Sequence, residues 1–253
     1  MRPWVTVVCG VVLIAVALIV EAPASVADWR VGAMTGDRLH IANASGTLWN
    51  GSGDLVASGS DLQRHIAWQL ERWPLLRGEL RGTLAMEADA DRVGNFVFGH
   101  DKVELEGFEL AMPMEALLRA AGAPAIITSA GGDFDIHIDR FIQDADALDV
   151  ALAMQWRNAS LPGLGPFARV MLGDLRAELS GRGPEVSGPL GNTGGEVEID
   201  GTVTAVGDGT PRVEAKVRAR PGIDRERASA LAFALSTLGP ADSEGRVRVA
   251  WPR

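Results

Sequence analysis

The stretch GGDFDIHID, residues 131–139, alternates polar and apolar side chains without interruption. The polar positions are Asp133, Asp135, His137 and Asp139, and the apolar positions are Phe134, Ile136 and Ile138. Successive side chains on a β-strand point to opposite faces of a sheet. This period of two therefore predicts a strand with one face packed on a core and the other in water.

The same period recurs along most of the chain, at residues 66–70, 150–156, 197–203, 213–217 and 247–251. Clusters of Gly, Asn, Asp and Ser separate these stretches. One-sided alternation at regular spacing is typical of antiparallel sheets. We therefore expect a mainly β protein, built as a curved antiparallel sheet or half-barrel with two short helices.

The two helices are expected at residues 113–121 and 224–238, where the alternation breaks down. The first stretch begins with Pro, which suits the first turn of a helix, and the second begins with Asp224, which can cap one. Each helix follows a run of strands. The folded part could thus consist of two similar halves, residues 36–122 and 130–239.

The amino terminus has a different character, because Trp4 to Val20 are 17 residues without a charge. This length is near the lower limit for a helix that spans a bilayer. Arg2 before it and Glu21 after it orient the amino terminus towards the cytoplasm. We expect a single-pass inner-membrane anchor at residues 1–21, a linker at 22–35 and a periplasmic β-rich domain at 36–253.

A cleavable signal peptide is the alternative, since Ser25-Val26-Ala27 forms a small-x-small cleavage site. Both interpretations export the rest of the chain. The abundance of Ala and Gly, with 22 Arg against 2 Lys, is typical of a high-GC bacterial gene. The exported side would then be the periplasm.

Composition excludes several classes of function. The part after residue 20 has 33 acidic against 23 basic residues, which argues against nucleic-acid binding. The single Cys, Cys9, lies in the predicted anchor, so we expect neither a disulfide nor a thiolate metal site in the exported part.

Motifs for catalysis are also absent from the sequence. It contains no G-x-S-x-G and no G-x-x-x-x-G-K-[ST]. The acidic face at Asp133–Asp139 could hold a divalent cation only with ligands from neighbouring strands, because alternate residues on a strand lie about 7 Å apart. A solvated sheet face explains the same pattern. We expect no enzymatic activity, no catalytic residue, no metal and no cofactor.

A second informative stretch is GTLWNGSG, residues 46–53. Alternation directs Thr47 and Trp49 to one face, and Asn50-Gly51 suits a tight turn. With Trp68 and Trp73, Trp49 predicts an aromatic packing cluster on a concave face. Stacking of Trp49 on a ligand is the alternative.

An anchor, a short linker, GTLWNGSG, and then IAWQL and LRGELRGTL resemble type II secretion system protein N. The residues that carry the resemblance are Gly46, Thr47, Leu48, Trp49, Gly51, Trp68 and Leu70. The resemblance implies a non-enzymatic accessory role at the inner-membrane platform of the secretion machinery, with other platform proteins as partners. The same G-T-L-W-x-G pattern is similar to one in periplasmic lipid-transfer bridges of the AsmA type, which are generally much longer.

A lipid or lipoprotein carrier is therefore the alternative function. It predicts an open apolar groove lined by Trp49, Trp68, Val150, Met154 and Trp156. A scaffold predicts instead that the protein's own side chains fill this face, and that open sheet edges accept a partner strand. Arginines at 218–220 and 225–227 would suit an acidic partner, or simply a solvated surface.

Overall fold

The computed structural model describes residues 22–58, 63–86, 93–120, 123, 129–145, 147–162, 169–207 and 211–251. The predicted anchor at residues 1–21 lies outside this part. Within it, no helix has the length and apolar character needed to cross a membrane. The chain divides into two compact units, Met1–Val93 and Gly94–Arg253.

The first unit contains four strands that pair antiparallel in chain order. They are β1 (Leu39–Gly46), β2 (Asn50–Ala57), β3 (Gln63–Leu70) and β4 (Leu80–Met86). Ile66 and Trp68 of β3 are buried, while Ala67 and Gln69 are exposed, as the alternation predicts. A 3-10 turn at Pro74–Arg77 lies between β3 and β4.

Helix α1, Ser25–Thr35, replaces most of the linker predicted at residues 22–35. Gly36 ends it in a left-handed conformation, with φ of 62°. The Asp28 carboxylate accepts the Ile41 N–H of β1 at 2.7 Å. Ala24 packs in the same buried cluster as Ile41. These contacts to β1 stabilise a helix in a run of small residues, so residues 25–35 have a regular structure that composition alone does not indicate.

The second unit is also a meander, in which strands that are consecutive in the chain pair antiparallel. Its strands are β5 (Val93–Phe98), β6 (Lys102–Pro113), β7 (Gly131–Asp144), β8 (Ala147–Pro162), β9 (Arg169–Gly183), β10 (Glu185–Thr193), β11 (Val197–Val206), β12 (Pro211–Ala219) and β13 (Val247–Trp251). The prediction of a mainly β, antiparallel protein is confirmed. The similar halves at 36–122 and 130–239 stay a prediction.

Both helices predicted in the β-rich part of the chain are present, as α2 (Met114–Ala120) and α3 (Arg225–Ser236). The Asp224 carboxylate caps α3 by accepting two backbone N–H groups of its first turn. Leu231 of α3 is buried against strands of the second unit. A second cluster packs the middle strands and consists of Leu148, Val150, Ala177, Leu179, Val186 and Val203.

Candidate functional site

The turn between β1 and β2, hereafter the Trp49 turn (Gly46–Gly51), contains five of the seven motif residues. The turn itself lies at residues 47–49, and not at Asn50-Gly51 as predicted: Gly51 already belongs to β2 and pairs with Gly46. Thr47 closes the turn, because its N–H donates to the Asn50 carbonyl at 2.9 Å. Its Oγ1 accepts the Asn50 N–H at 3.1 Å. Gly46, with φ of 83°, supplies the left-handed residue.

The other two motif residues, Trp68 and Leu70, lie on β3 and bind the turn from the side. The Trp68 indole N–H donates to the Leu48 carbonyl at 3.0 Å. The Leu70 N–H donates to the Trp49 carbonyl at 2.7 Å. A Cβ at Gly51 would lie 2.6 Å from Cζ2 of Trp68, so glycine is what lets the indole approach the backbone. The motif residues are therefore packed against one another.

Trp49 and Trp68 are only 6% and 7% exposed. The guanidinium of Arg72 lies 5.4 Å from the centre of the Trp49 ring. Trp73 does not join them: it is 79% exposed, and the prediction of a three-tryptophan packing cluster was wrong for this residue. The buried position in that loop belongs to the next residue, Pro74.

The chain that follows the predicted anchor is bound to the same turn. The Leu48 N–H donates to the Ala22 carbonyl at 2.7 Å, and the Ala24 N–H donates to the Gly46 carbonyl at 3.3 Å. Pro23 and Thr47 form an antiparallel bridge. Sequence reasoning missed this contact, because nothing local in residues 22–24 indicates pairing with a segment more than twenty residues away.

The acidic face of β7 is occupied by pairs between side chains. The Asp135 carboxylate accepts a hydrogen bond from Nε of Arg157 at 2.8 Å. Nε2 of His137 lies 2.9 Å from Oδ1 of Asp139. In the part of the chain that the structure describes, no group of three or more His, Cys, Asp or Glu side chains has an arrangement that could hold a metal ion.

The side chains assigned to the lipid groove pack within their own units. Trp68 lies in the core of the first unit. Val150 is 1% exposed in the core of the second, with Met154 packed against it. The Trp156 indole donates to the Gly131 carbonyl at 3.0 Å and packs in the cluster that contains Leu231. The groove interpretation therefore lacks support from these residues.

Three of the four arginines considered for an acidic partner bind groups of the protein itself. Arg218 binds Glu198 at 2.7 Å, and Arg227 binds Glu196 at 2.6 Å. In both pairs the hydrogen bond from the guanidinium holds the pKa of the glutamate below its ordinary value. Arg220 donates to the Val197 carbonyl at 3.1 Å. These groups stabilise the second unit.

The first and last strands differ in how their outer edges are covered. Asp28 of α1 binds the backbone of β1. In the part of the chain that the structure describes, β13 pairs with β12 along its length, and its first residue, Val247, also forms an isolated antiparallel bridge with Ala241. Its last residue, Trp251, is 58% exposed. Beyond Val247, the outer side of β13 therefore presents strand backbone next to a large apolar side chain.

The strands pair in chain order, and the motif residues pack against other residues of the same chain. This architecture defines an antiparallel β-meander protein. The model of the family described as type II secretion system (T2SS), protein N, matches residues 37–250, and the chain belongs to this family. The resemblance noted in the sequence is thereby confirmed, and with it an involvement in type II secretion. No curated protein and no solved structure matches the chain.

Proposed function

We propose that the protein is a non-enzymatic accessory component of the type II secretion machinery that helps assemble or stabilise its inner-membrane platform. Membership of the protein N family supports the assignment to this machinery. In this proposal residues 1–21 form a single-pass inner-membrane anchor and the β domain lies in the periplasm. Other inner-membrane platform proteins are the partners, and no cofactor takes part.

The observation that carries the membrane part of the proposal is the pairing of residues 22–24 with the Trp49 turn. Ala22 is the first described residue after the apolar segment, and its carbonyl already accepts a hydrogen bond from Leu48. An anchor at 1–21 would therefore join the folded unit without a flexible spacer. One end of the first unit would be held within a few ångströms of the bilayer, because one residue spans at most about 3.5 Å.

The surface proposed for partner binding is the outer edge of β13 at residues 248–251, beyond the bridge between Val247 and Ala241. An edge strand presents unpaired backbone N–H and C=O groups, and an extended segment of a partner can add to them. Exposed tryptophans frequently dominate the binding energy of such interfaces. Trp251 would then be the side chain that strengthens backbone pairing.

The test is a crosslinking pull-down of the full-length protein from its native inner membrane, with phospholipid measured in the same eluate. We expect secretion-platform proteins to be enriched, and Trp251→Ala to reduce that enrichment by about tenfold. Met171→Ala, which also removes an exposed apolar side chain from the second unit, is the control and should leave enrichment unchanged.

Three results would count against the proposal. If both variants lost partner enrichment equally, the β13 edge would not be the binding surface. Absence of secretion proteins from the eluate would contradict the platform role. Stoichiometric phospholipid in their place would indicate a lipid carrier.

A further inference from the structure

The loop Arg72–Arg77, between β3 and β4, exposes three large apolar side chains within four residues. Trp73 and Leu76 are each 79% exposed, and Leu75 is 40% exposed. The loop has the sequence RWPLLR, so an arginine stands at each end and no acid lies between them. Exposed apolar side chains grouped in this way mark an interaction site more often than isolated ones do.

The loop is ordered by its own hydrogen bonds. The N–H groups of Leu76, Gly78 and Glu79 donate to carbonyls of residues 73–75 within the loop at 3.0–3.2 Å. Pro74 is buried and lacks an N–H. These hydrogen bonds satisfy the carbonyls of residues 73–75, which lowers the cost of moving this part of the loop into a region with little water.

The loop lies at the end of the first-unit sheet where the chain arrives from residues 1–21. Asn50 pairs with Gln69 and Leu70 pairs with Gly82, so the β1–β2 turn and the β3–β4 connection are on the same side. Residues 22–24 pair with the β1–β2 turn at this end. Arg72 stacks on Trp49 of that turn.

We propose that the loop Arg72–Arg77 is a second membrane contact, in which Trp73, Leu75 and Leu76 enter the interface of the bilayer while Arg77 and Arg72 bind lipid phosphates. This inference rests on the proposed function, because it requires that residues 1–21 be in the membrane. Trp prefers the headgroup region, and adjacent leucines reach the acyl boundary. Arginine is the side chain best suited to phosphate.

A pocket at the base of the loop supports a lipid as the occupant. It is open to solvent, has a volume of about 480 Å³, and is lined by Arg72, Glu71, Trp73 and Thr83 among others. A positive and a negative side chain beside an indole match a phosphate with a nearby amine, the chemistry of a zwitterionic phospholipid headgroup. The loop would therefore orient the first unit by holding it to the bilayer at two points.

The experiment places an environment-sensitive fluorophore on the loop of the full-length protein in vesicles of phosphatidylethanolamine and phosphatidylglycerol. Cys9→Ser removes the only native cysteine, and Leu76→Cys provides the labelling site. Arg38→Cys is the matched control, since Arg38 is exposed just before β1, at the opposite end of the same sheet. Flotation of the vesicles measures retention of the anchor, and brominated lipids measure insertion of the fluorophore.

We expect the protein to float with the vesicles. The fluorophore at residue 76 should be blue-shifted and quenched by brominated lipids, and the fluorophore at residue 38 should not be quenched. Arg77→Glu should reduce the quenching at residue 76. Flotation without quenching at residue 76, or a blue shift that brominated lipids do not affect, would overturn the loop contact and leave the anchor intact. Failure of the protein to float would overturn the anchor, and with it this inference.

Discussion

At the scale of single residues, Gly51 has the least room for a side chain in the Trp49 turn. A Cβ there would lie 2.6 Å from Trp68, 2.7 Å from the Thr47 carbonyl and 2.8 Å from the Ser45 carbonyl. Two of these three atoms belong to the backbone and cannot rotate away. The contact with Trp68 also positions the indole that donates to Leu48.

We predict that Gly51→Ala lowers the free energy of unfolding by about 1–3 kcal/mol, the usual cost of an overpacked core position. Urea unfolding of the full-length protein in detergent would measure it. Gly191→Ala is the control, because its nearest neighbour, the Ile199 carbonyl, lies at 3.7 Å. A similar loss in both variants would show that Gly51 is not constrained by the turn.

At the scale of elements, α3 is attached to the second unit by one apolar and one charged contact. Leu231, a residue of the helix, is buried in a cluster with Ala159, Leu172 and Val197. The Arg227 guanidinium contacts the Glu196 carboxylate at 2.6 and 2.8 Å and donates to the Arg169 carbonyl at 2.6 Å. Glu196 in turn accepts the Met171 N–H at 2.9 Å. The arginine thus links the helix to β9 and to the connection before β11.

We predict that Arg227→Ala destabilises the attachment of α3 by roughly 1–3 kcal/mol, the range for hydrogen bonds to charged groups. Amide hydrogen exchange in α3 should become faster, because the helix would detach more often. Arg225→Ala changes an exposed arginine at the start of the same helix and should leave exchange unchanged. Equal acceleration in both variants would contradict a specific role for Arg227.

At the scale of the whole molecule, ion pairs of the second unit couple stability to pH. Four carboxyl groups of this unit have a pKa below the ordinary value, namely Asp149, Glu196, Glu198 and Asp242, and Asp54 of the first unit is a fifth. Hydrogen bonds from Arg182 and Arg227 are the main causes for the first two. Because the folded state holds these groups ionised, it binds fewer protons than the unfolded state, and acid favours unfolding.

We predict a melting temperature that is nearly constant above about pH 5 and falls as the pH drops through about 4, where unfolded carboxyl groups titrate. Thermal unfolding between pH 7 and pH 3 measures this. Asp149→Asn should lower stability at pH 7 and make the melting temperature fall less on acidification, because the variant lacks a carboxyl group whose pKa is lower in the folded than in the unfolded state. A melting temperature that rises on acidification would contradict the assignment.

The candidate site was only partly predictable. All seven motif residues were selected from the sequence, since Gly, Thr, Leu and Trp in this order are an unusual local pattern. Their roles were not, because each depends on a partner elsewhere in the chain. The position of the turn is one case: it depends on the Thr47 hydroxyl and on pairing with Pro23. The exposure of Trp73 is another, since Pro74 takes the buried position.

The sequence by itself determined the antiparallel β class, helix α3 and the family, because alternation, a capping Asp224 and a short motif are local signals. Only the tertiary structure decided that residues 25–35 are helical and that residues 22–24 bind the Trp49 turn. It also decided which arginines bind the protein's own acids. The physical reason is the same in each case: these features follow from hydrogen bonds and burial between segments distant in sequence, and no local pattern encodes the partner.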